Sequence, residues 1–125
     1  MAPFRRKIVS GRAAGRKAKP VECDGHRFPS AHERDRYLHL KLMQKAGLIR
    51  DLELQPRYDI LINGQPVYLS PPGTRGRRPL HYRADFRYTA DDGLHVEDAK
   101  GAHTKEYLIK KALVEAIYKI TITEV

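Results

Sequence analysis

The stretch HYRADFRYTADDGLHVEDAKG, residues 81–101, predicts a β-hairpin that carries the acids on which the fold and chemistry of this chain depend. From Tyr82 to Tyr88, apolar or aromatic residues alternate with charged ones, which is typical of a half-buried strand. Asp92-Gly93 predicts a tight turn, after which the chain returns through Leu94 to Lys100. Two antiparallel strands are therefore expected, with their charged residues at fixed offsets from the turn.

The register of this hairpin decides which charges share a face. A two-residue turn at Asp92-Gly93 makes Asp85 face Lys100, whereas a loop two residues longer pairs Asp85 directly with Asp98. In both registers Asp85, Asp98 and Lys100 project from the same side of the sheet, because directly paired residues share a face. A three-residue loop with a bulge would bring Glu97 to that side instead. We disfavour it because it separates Asp85 from Lys100.

Asp85, Asp98 and Lys100 are suited to metal-assisted hydrolysis of a phosphodiester. Two carboxylates that leave coordination positions to water and phosphate oxygens are the usual way a protein holds Mg²⁺. Such an ion lowers the pKa of a bound water and stabilises charge on the phosphate. Lys100 would position or activate the attacking water. The alternative is a solvated ion pair between Asp85 and Lys100, which contributes little stability, and the spacing alone does not decide between the two.

A helix is predicted on the N-terminal side of the hairpin, over residues 31–46. Ser30 and Glu33 have the spacing of a capping box, and Gly47 suits a helix C-terminus. Apolar residues recur every four positions between them, at Leu38, Leu42 and Ala46.

The middle of the chain predicts strands and a basic loop. Alternation from Leu52 to Ile60 indicates a strand, and Asn63-Gly64 is a hairpin turn signal. Residues 70–79, SPPGTRGRRP, hold too many prolines and glycines for a central strand, so we expect a mobile basic loop.

A second helix and a closing strand are predicted after the hairpin. Thr104 is a candidate N-cap, and the apolar positions that follow predict one buried helix face: Leu108, Ile109, Ala112, Leu113, Ala116 and Ile117. From Tyr118 to Val125, β-branched residues alternate with others, which indicates a strand. The expected order is helix, strands, helix, strand.

The charge of the chain indicates a polyanionic partner. The formal net charge is +9, and residues 1–20 contain seven cations and no acid, which leaves 9 − 7 = +2 for the rest. We interpret residues 1–20 as a flexible basic arm, with residues 21–125 as one folded domain. The arm's Arg12, Arg16 and Lys17, and the loop's Arg75, Arg77 and Arg78, are candidate contacts to nucleic-acid phosphates. The alternative is a solvated tail and loop with no specific role.

The size and composition argue against a membrane-spanning protein and against a disulfide-stabilised one. With 125 residues the chain is long enough for one compact domain, and it contains no apolar run of the roughly 20 residues that cross a bilayer. The single cysteine cannot form an internal disulfide, which favours a reducing, cytoplasmic compartment.

His95 and His103 flank the proposed site and are candidates for DNA contact or proton transfer, although histidines at such positions are mostly solvated.

A family resemblance adds to these patterns. Ala84-Asp85-Phe86 and Asp98-Ala99-Lys100 resemble the bipartite motif of the PD-(D/E)XK nuclease superfamily, with Ala84 where the motif's name has proline. A longer run, over about residues 24–120, looks like a phage-associated family of endonuclease-like proteins catalogued as a domain of unknown function. Its matching segments are Phe28-Pro29-Ser30, Glu33, Gly47-Leu48-Ile49, Leu54-Gln55-Pro56, Tyr82, Asp85-Phe86, Glu97-Asp98 and Lys100-Gly101.

The resemblance implies an α/β fold with a restriction-endonuclease-like αβββαβ core. It also implies Mg²⁺-dependent hydrolysis, for which Mn²⁺ would substitute, with Asp85 and Asp98 as ligands and Lys100 as the catalytic lysine. The adjacency of Glu97 and Asp98 leaves open which of the two binds metal. Glu33 matches an acid that many of these nucleases bring to the metal, and it equally suits a capping role. Gln55 would orient a water or a phosphate, or is an exposed strand residue.

These patterns lead to one expected function and its rivals. We expect a DNA endonuclease in the cytoplasm of a bacterial host cell, selective for branched or junction DNA in phage recombination or replication. A homodimer would match the two-fold symmetry of such substrates. The alternatives are a non-catalytic nucleic-acid-binding protein on the same fold and a nuclease that acts on RNA.

Overall fold

The computed structural model of the protein describes residues 19–99 and 103–125. Within these ranges the chain forms the helices α1 (Ala31–Lys45) and α2 (Lys105–Tyr118). The strands in the same ranges are β1 (Val21–Cys23), β2 (His26–Phe28), β3 (Ile49–Leu54), β4 (Arg57–Asp59), β5 (Leu61–Ile62), β6 (Gln65–Pro66), β7 (His81–Arg83), β8 (Phe86–Ala90), β9 (Gly93–Asp98) and β10 (Ile122–Glu124). The chain divides into two compact units, one up to Asp35 and one from Arg36 to Val125.

The first unit contains the β1–β2 hairpin and the first residues of α1. Asp24 and Gly25 join the two strands with φ angles of 52° and 78°, which is the left-handed conformation that a tight hairpin turn requires. Ser30 Oγ accepts a hydrogen bond from the backbone N–H of Glu33 at 3.3 Å, immediately before α1 begins. The predicted capping role of Ser30 is thus confirmed.

The second unit is built on a mixed four-stranded sheet in the order β10-β9-β8-β3. β9 pairs parallel with β10, while β8 pairs antiparallel with both β9 and β3. α2 packs on one face of this sheet, where Val114 joins Val96 and Ile122 in the buried core. Thr104 caps α2 by accepting a hydrogen bond from the backbone N–H of Tyr107 at 3.1 Å, as predicted. The order helix, three sheet strands, helix, strand is confirmed for these elements.

The predicted buried faces of the helices are partly wrong. In α1, Leu38 and Leu42 are exposed, and the buried residues are Tyr37 and Leu40. In α2, the exposed residues include Leu108 and Ile109, and also Ala112 and Ala116. Its buried residues are Tyr107 and Val114. Leu113 and Ile117 of the predicted α2 face do pack against the core. The prediction counted aliphatic residues only and so missed Tyr37 and Tyr107, whose large rings bury well while their hydroxyls find partners.

The predicted strand boundaries need four corrections. The strand expected from Leu52 to Ile60 is interrupted at 55–56, between β3 and β4. The strand expected from Tyr82 to Tyr88 is interrupted at 84–85, between β7 and β8. The hairpin closes at Ala90, which pairs with Gly93, so the turn residues lie one position earlier than Asp92-Gly93. The closing strand begins at Ile122, because α2 continues through Tyr118 and Lys119 ends it in the left-handed conformation.

The basic loop at 70–79 is confirmed as irregular structure, and it is closed at its base. Tyr68 bridges to Pro79, and the backbone N–H of Leu80 donates to Val67 O at 2.7 Å. Thr74 Oγ1 donates to Pro71 O at 2.7 Å within the loop. These bonds satisfy backbone groups locally, and most residues between them are exposed, so this loop is called the protrusion below.

Neither α1 nor α2 is long and apolar enough to span a membrane, which holds for the ranges 19–99 and 103–125 that were searched.

Candidate functional site

Two strand pairs bend at the same place, and Asp85 lies at that bend. β3 gives way to β4 at Gln55-Pro56, while their antiparallel partners β8 and β7 are interrupted at 84–85. The backbone N–H of Gln55 donates to Asp85 O at 2.9 Å, and that of Ala84 donates to Pro56 O at 3.1 Å. Gln55 has φ 52°, in the region that ordinary residues avoid, and Pro56 has no N–H to contribute to a ladder. Both bonds continue the register that joins the Leu54–Phe86 pair to the Arg57–Arg83 pair, so the two chain segments stay paired through this point.

The carboxylate of Asp85 takes the place of a backbone acceptor. Its Oδ2 accepts the backbone N–H of Ala99 at 2.6 Å, while the backbone N–H of Asp85 donates to Glu97 O at 3.0 Å. The regular pairing of β8 with β9 ends one residue earlier, at Phe86 and Glu97. The position of the Asp85 side chain is thus determined by the end of the ladder, because a backbone donor at this point needs a partner.

Asp85 and Asp98 both lie close to Tyr82. The β8–β9 register, in which Phe86 pairs with Glu97, would bring Asp85 opposite Asp98 and not opposite Lys100 if it continued. The ladder is irregular at this point, where the backbone N–H of Asp85 donates to Glu97 O, and both carboxylates act to raise the pKa of Tyr82. The hydroxyl of Tyr82 donates to Asp98 Oδ2, and Asp98 is fully buried. Burial, and then the hydrogen bond to Asp98, raise the pKa of Tyr82, so its phenol stays protonated and acts as a donor.

Glu97 projects to the opposite face and is already paired. Arg36 of α1 binds it with two hydrogen bonds, Nε to Oε1 at 2.8 Å and Nη2 to Oε2 at 2.6 Å. The hydroxyl of Tyr88 donates to Oε2 at 2.5 Å. Burial acts to raise the pKa of Glu97, but the bonds from Arg36 and Tyr88 outweigh it and the pKa is lowered. Of the two adjacent acids, Asp98 is therefore the one that lies with Asp85 beside Tyr82.

A further carboxylate, which the sequence patterns did not single out, lies beside Asp98. Glu124 is the parallel partner of Asp98 in the β9–β10 pair. Its Oε2 accepts the hydroxyl of Tyr107 at 2.8 Å, and its Oε1 lies 2.9 Å from Nε2 of His103. Glu124 stands in a short C-terminal strand, and the only sequence signal was the alternation of residues 120–125. Its pairing with β9 depends on the parallel crossover through α2, which local patterns do not encode.

The remaining predicted site residues fall into different parts of the chain. Glu33 belongs to the first unit, where its backbone N–H is bonded to Ser30. Gln55 is exposed, with its backbone opposite Asp85. Lys100 lies outside the described residues, as do the arm residues Arg12, Arg16 and Lys17.

The three loop arginines differ in how they are held. The guanidinium of Arg77 lies 3.6 Å from the centroid of the Tyr68 ring, and its Nε donates to Ser70 O at 3.2 Å. Arg75 and Arg78 are exposed on the same protrusion. Arg77 thus stabilises the loop, and the other two extend into solvent.

The donor set suits a metal ion that keeps most of its water. Within residues 19–99 and 103–125, no group of three or more His, Cys, Asp or Glu side chains is gathered closely enough to form a metal cage. Asp85 and Asp98 supply carboxylate oxygens close to Tyr82, and Mg²⁺ typically uses one or two carboxylates together with water and phosphate oxygens. The two aspartates fit that mode of binding and not a closed structural site.

The chain matches a known protein family over most of its length. Residues 14–123 match the family described as "Protein of unknown function (DUF1064)". The chain belongs to the DUF1064 family. No curated protein and no solved structure matches it. The DUF1064 match includes Asp85, Glu97 and Asp98, whereas Glu124 lies one residue beyond it.

Proposed function

We propose that this DUF1064 protein is a Mg²⁺-dependent DNA endonuclease of the PD-(D/E)XK type. The observation that carries the proposal is that Asp85 and Asp98 both lie beside Tyr82 at the end of the β8–β9 ladder, while Glu97 is bound by Arg36. The order of the helices and of the strands in the four-stranded sheet supports the proposal, because helix, three strands, helix and strand is the order expected of an αβββαβ core. Bends and irregular pairing of this kind concentrate next to active sites.

In the proposed reaction, the two aspartates would bind the metal ion and Lys100 would act on the attacking water. A bound Mg²⁺ would neutralise phosphate charge and lower the pKa of a coordinated water. Asp85 and Asp98 would hold it, each fixed by a hydrogen bond to the protein, from Ala99 N–H and from the Tyr82 hydroxyl respectively. Lys100 would orient the attacking water. Rigid ligands of this kind need no reorganisation when the substrate binds.

Basic residues would provide the binding of DNA. From Ile60 to Ala84 the sequence contains four arginines and no acid, and Arg75 and Arg78 are exposed on the protrusion. Contacts of this type go to phosphates and carry no sequence information. This favours recognition of the shape of the DNA, such as a branched or four-way junction, and a homodimer would match its symmetry.

The test is a cleavage assay with isosteric variants. Labelled duplex, single-stranded, flap and four-way-junction DNA, with matching RNA, are incubated with the protein in Mg²⁺, Mn²⁺ or EDTA. Asp85→Asn keeps an oxygen that accepts the Ala99 N–H and removes the charge that would bind metal. We expect cleavage by the wild type with Mg²⁺ or Mn²⁺, none in EDTA, and a loss of about 100-fold or more in Asp85→Asn.

The matched control is Asp91→Asn, which makes the same change at an exposed position in the hairpin turn. It should cleave like the wild type, and both variants should bind DNA equally. Tight binding with no cleavage under any metal would overturn the catalytic proposal and leave a non-catalytic binding protein. Preferential cleavage of RNA would instead reassign the substrate.

A further inference from the structure

A second polar cluster lies on the outer side of Asp98, formed by His103, Tyr107 and Glu124. The ring of His103 stacks on that of Tyr107, with centroids 5.8 Å apart and an interplanar angle of 12°. Both residues also contact Glu124, the imidazole at Oε1 and the phenol at Oε2. The imidazole is therefore held by a carboxylate on one edge and by an aromatic face.

The carboxylate of Glu124 determines which nitrogen of His103 is available. The hydrogen bond from Tyr107 lowers the pKa of Glu124, burial opposes this, and the nearby imidazole lowers it further. An ionised carboxylate can only accept, so Nε2 of His103 carries the proton in this bond. Nδ1 is the other nitrogen of a side chain that is 52% exposed. This arrangement resembles the carboxylate-held histidines that serve as proton donors and acceptors.

The cluster lies next to the proposed metal ligands, and none of its three residues is one of those ligands. Asp98 and Glu124 are direct partners in the β9–β10 pair, and neighbouring strands lie about 4.8 Å apart. Tyr82, which binds Asp98, and Tyr107, which binds Glu124, have ring centroids 6.3 Å apart. Across the sheet the order is thus Asp85, Asp98, Glu124, with His103 beyond. In an in-line displacement, the attacking and leaving oxygens lie on opposite sides of the phosphorus, so an acid on one flank is well placed.

We propose that His103 is the general acid of the reaction, oriented by Glu124, and that it protonates the leaving oxygen of the cleaved phosphodiester. This inference rests on the nuclease function proposed above. A water attacks phosphorus, forms the new P–O bond and loses one proton to solvent. As the bond from phosphorus to the leaving oxygen breaks, its electron pair passes to that oxygen, which takes the proton from Nδ1. The neutral imidazole keeps its Nε2–H on Glu124 and is reprotonated by solvent.

The experiment compares two leaving groups. The wild type and His103→Gln are assayed in Mg²⁺ on the preferred DNA and on the same DNA with sulfur replacing the bridging oxygen on the leaving side. The end groups of the wild-type products identify that side. A thiolate leaves without a proton, because its conjugate acid is far stronger than an alcohol. We expect His103→Gln to cleave the oxygen ester about 100-fold more slowly than the wild type does, and the sulfur ester less than about threefold more slowly.

The matched control is His26→Gln. His26 is an exposed histidine of β2 in the first unit, where its ring packs edge-on against that of Phe28 with centroids 6.3 Å apart. It should cleave both substrates like the wild type. Equal losses on both esters, or no loss on either, would overturn the role of His103 while leaving the nuclease function intact. No metal-dependent cleavage of the oxygen ester by the wild type would overturn both proposals.

Glu124→Gln tests the orienting role separately. An amide oxygen still accepts the Tyr107 hydroxyl, but the charge that holds the protonated imidazole is lost. We expect a smaller loss than for His103→Gln on the oxygen ester, about tenfold, and again little loss on the sulfur ester. A loss on the sulfur ester as large as that on the oxygen ester would contradict a role through His103.

Discussion

Glu97 and Asp98 are neighbours in β9, yet their carboxylates lie on opposite faces of the sheet. Successive side chains of a strand alternate, so Glu97 reaches Arg36 of α1 while Asp98 reaches Tyr82 on the side of α2. One acid thus ties a helix to the sheet, and the other lies buried beside Tyr82 on the opposite face. The structural role of the first fixes the orientation of the second, because neither can rotate to the other face without a shift of the strand.

Removal of Arg36 should strongly destabilise the protein. Glu97 is 3% exposed, and Arg36→Met would leave its carboxylate buried with the Tyr88 hydroxyl as its remaining described donor. We expect the free energy of unfolding to fall by about 3 kcal/mol, measured by urea titration. The control is Arg34→Met, which breaks the more exposed pair with Asp35 and should cost less than about 1 kcal/mol. An equal fall in the free energy of unfolding for the two variants would show that the buried carboxylate of Glu97 does not depend on Arg36.

The same pair should make stability depend on acidic pH. The pKa of Glu97 is lowered below its ordinary value of 4.5 in the folded protein. Its contribution to stability is therefore present above pH 4.5 and is lost as the pH falls through the lowered pKa. The difference in unfolding free energy between the wild type and Glu97→Gln should shrink over that range. A difference that stays constant from neutral to acidic pH would show that Glu97 does not titrate in this way.

Tyr82→Phe should cost stability as well as activity. The change removes the hydroxyl that donates to Asp98, whose carboxylate is fully buried. We expect a loss of about 1–3 kcal/mol in urea unfolding. Tyr118→Phe is the comparison. The hydroxyl of Tyr118 donates to Asp59 O at 2.8 Å from an exposed position, so its removal should lower the free energy of unfolding by less than about 0.5 kcal/mol. Comparable losses in both would argue against a special role for the Tyr82–Asp98 bond.

Arg75 and Arg78 should act on the affinity for DNA through phosphate contacts. Each cation that contacts a phosphate contributes about 0.9 to the slope of log affinity against log salt concentration. The double variant Arg75→Gln/Arg78→Gln should therefore reduce that slope by up to about 2, measured by fluorescence anisotropy over a salt series. Lys41→Gln/Lys45→Gln removes two exposed charges from α1 and is the control. If the two double variants change the slope equally, the loop is not a preferred contact.

Local patterns predicted the elements well and the packing poorly. Thr104, Ser30 and the glycine turns act through neighbours a few residues away, so their effects can be deduced from spacing. The buried faces of the helices depend on which side meets the sheet. In α1 the side that carries Tyr37 and Leu40 is buried and the side that carries Leu38 and Leu42 is exposed, and no neighbour along the chain distinguishes them.

The sequence by itself determined the parity of the hairpin, since any loop of even length keeps Asp85 and Asp98 on one face. It also determined the caps, the basic loop and the order of the elements, because each depends on contacts short in sequence. Tertiary structure decided that Glu97 forms an ion pair with Arg36, 61 residues away, and that Glu124 lies beside Asp98. It also decided that the strands bend together at Gln55 and Asp85. These outcomes follow from pairing between distant strands and helices, whose partners are chosen by burial of the whole core and not by spacing along the chain.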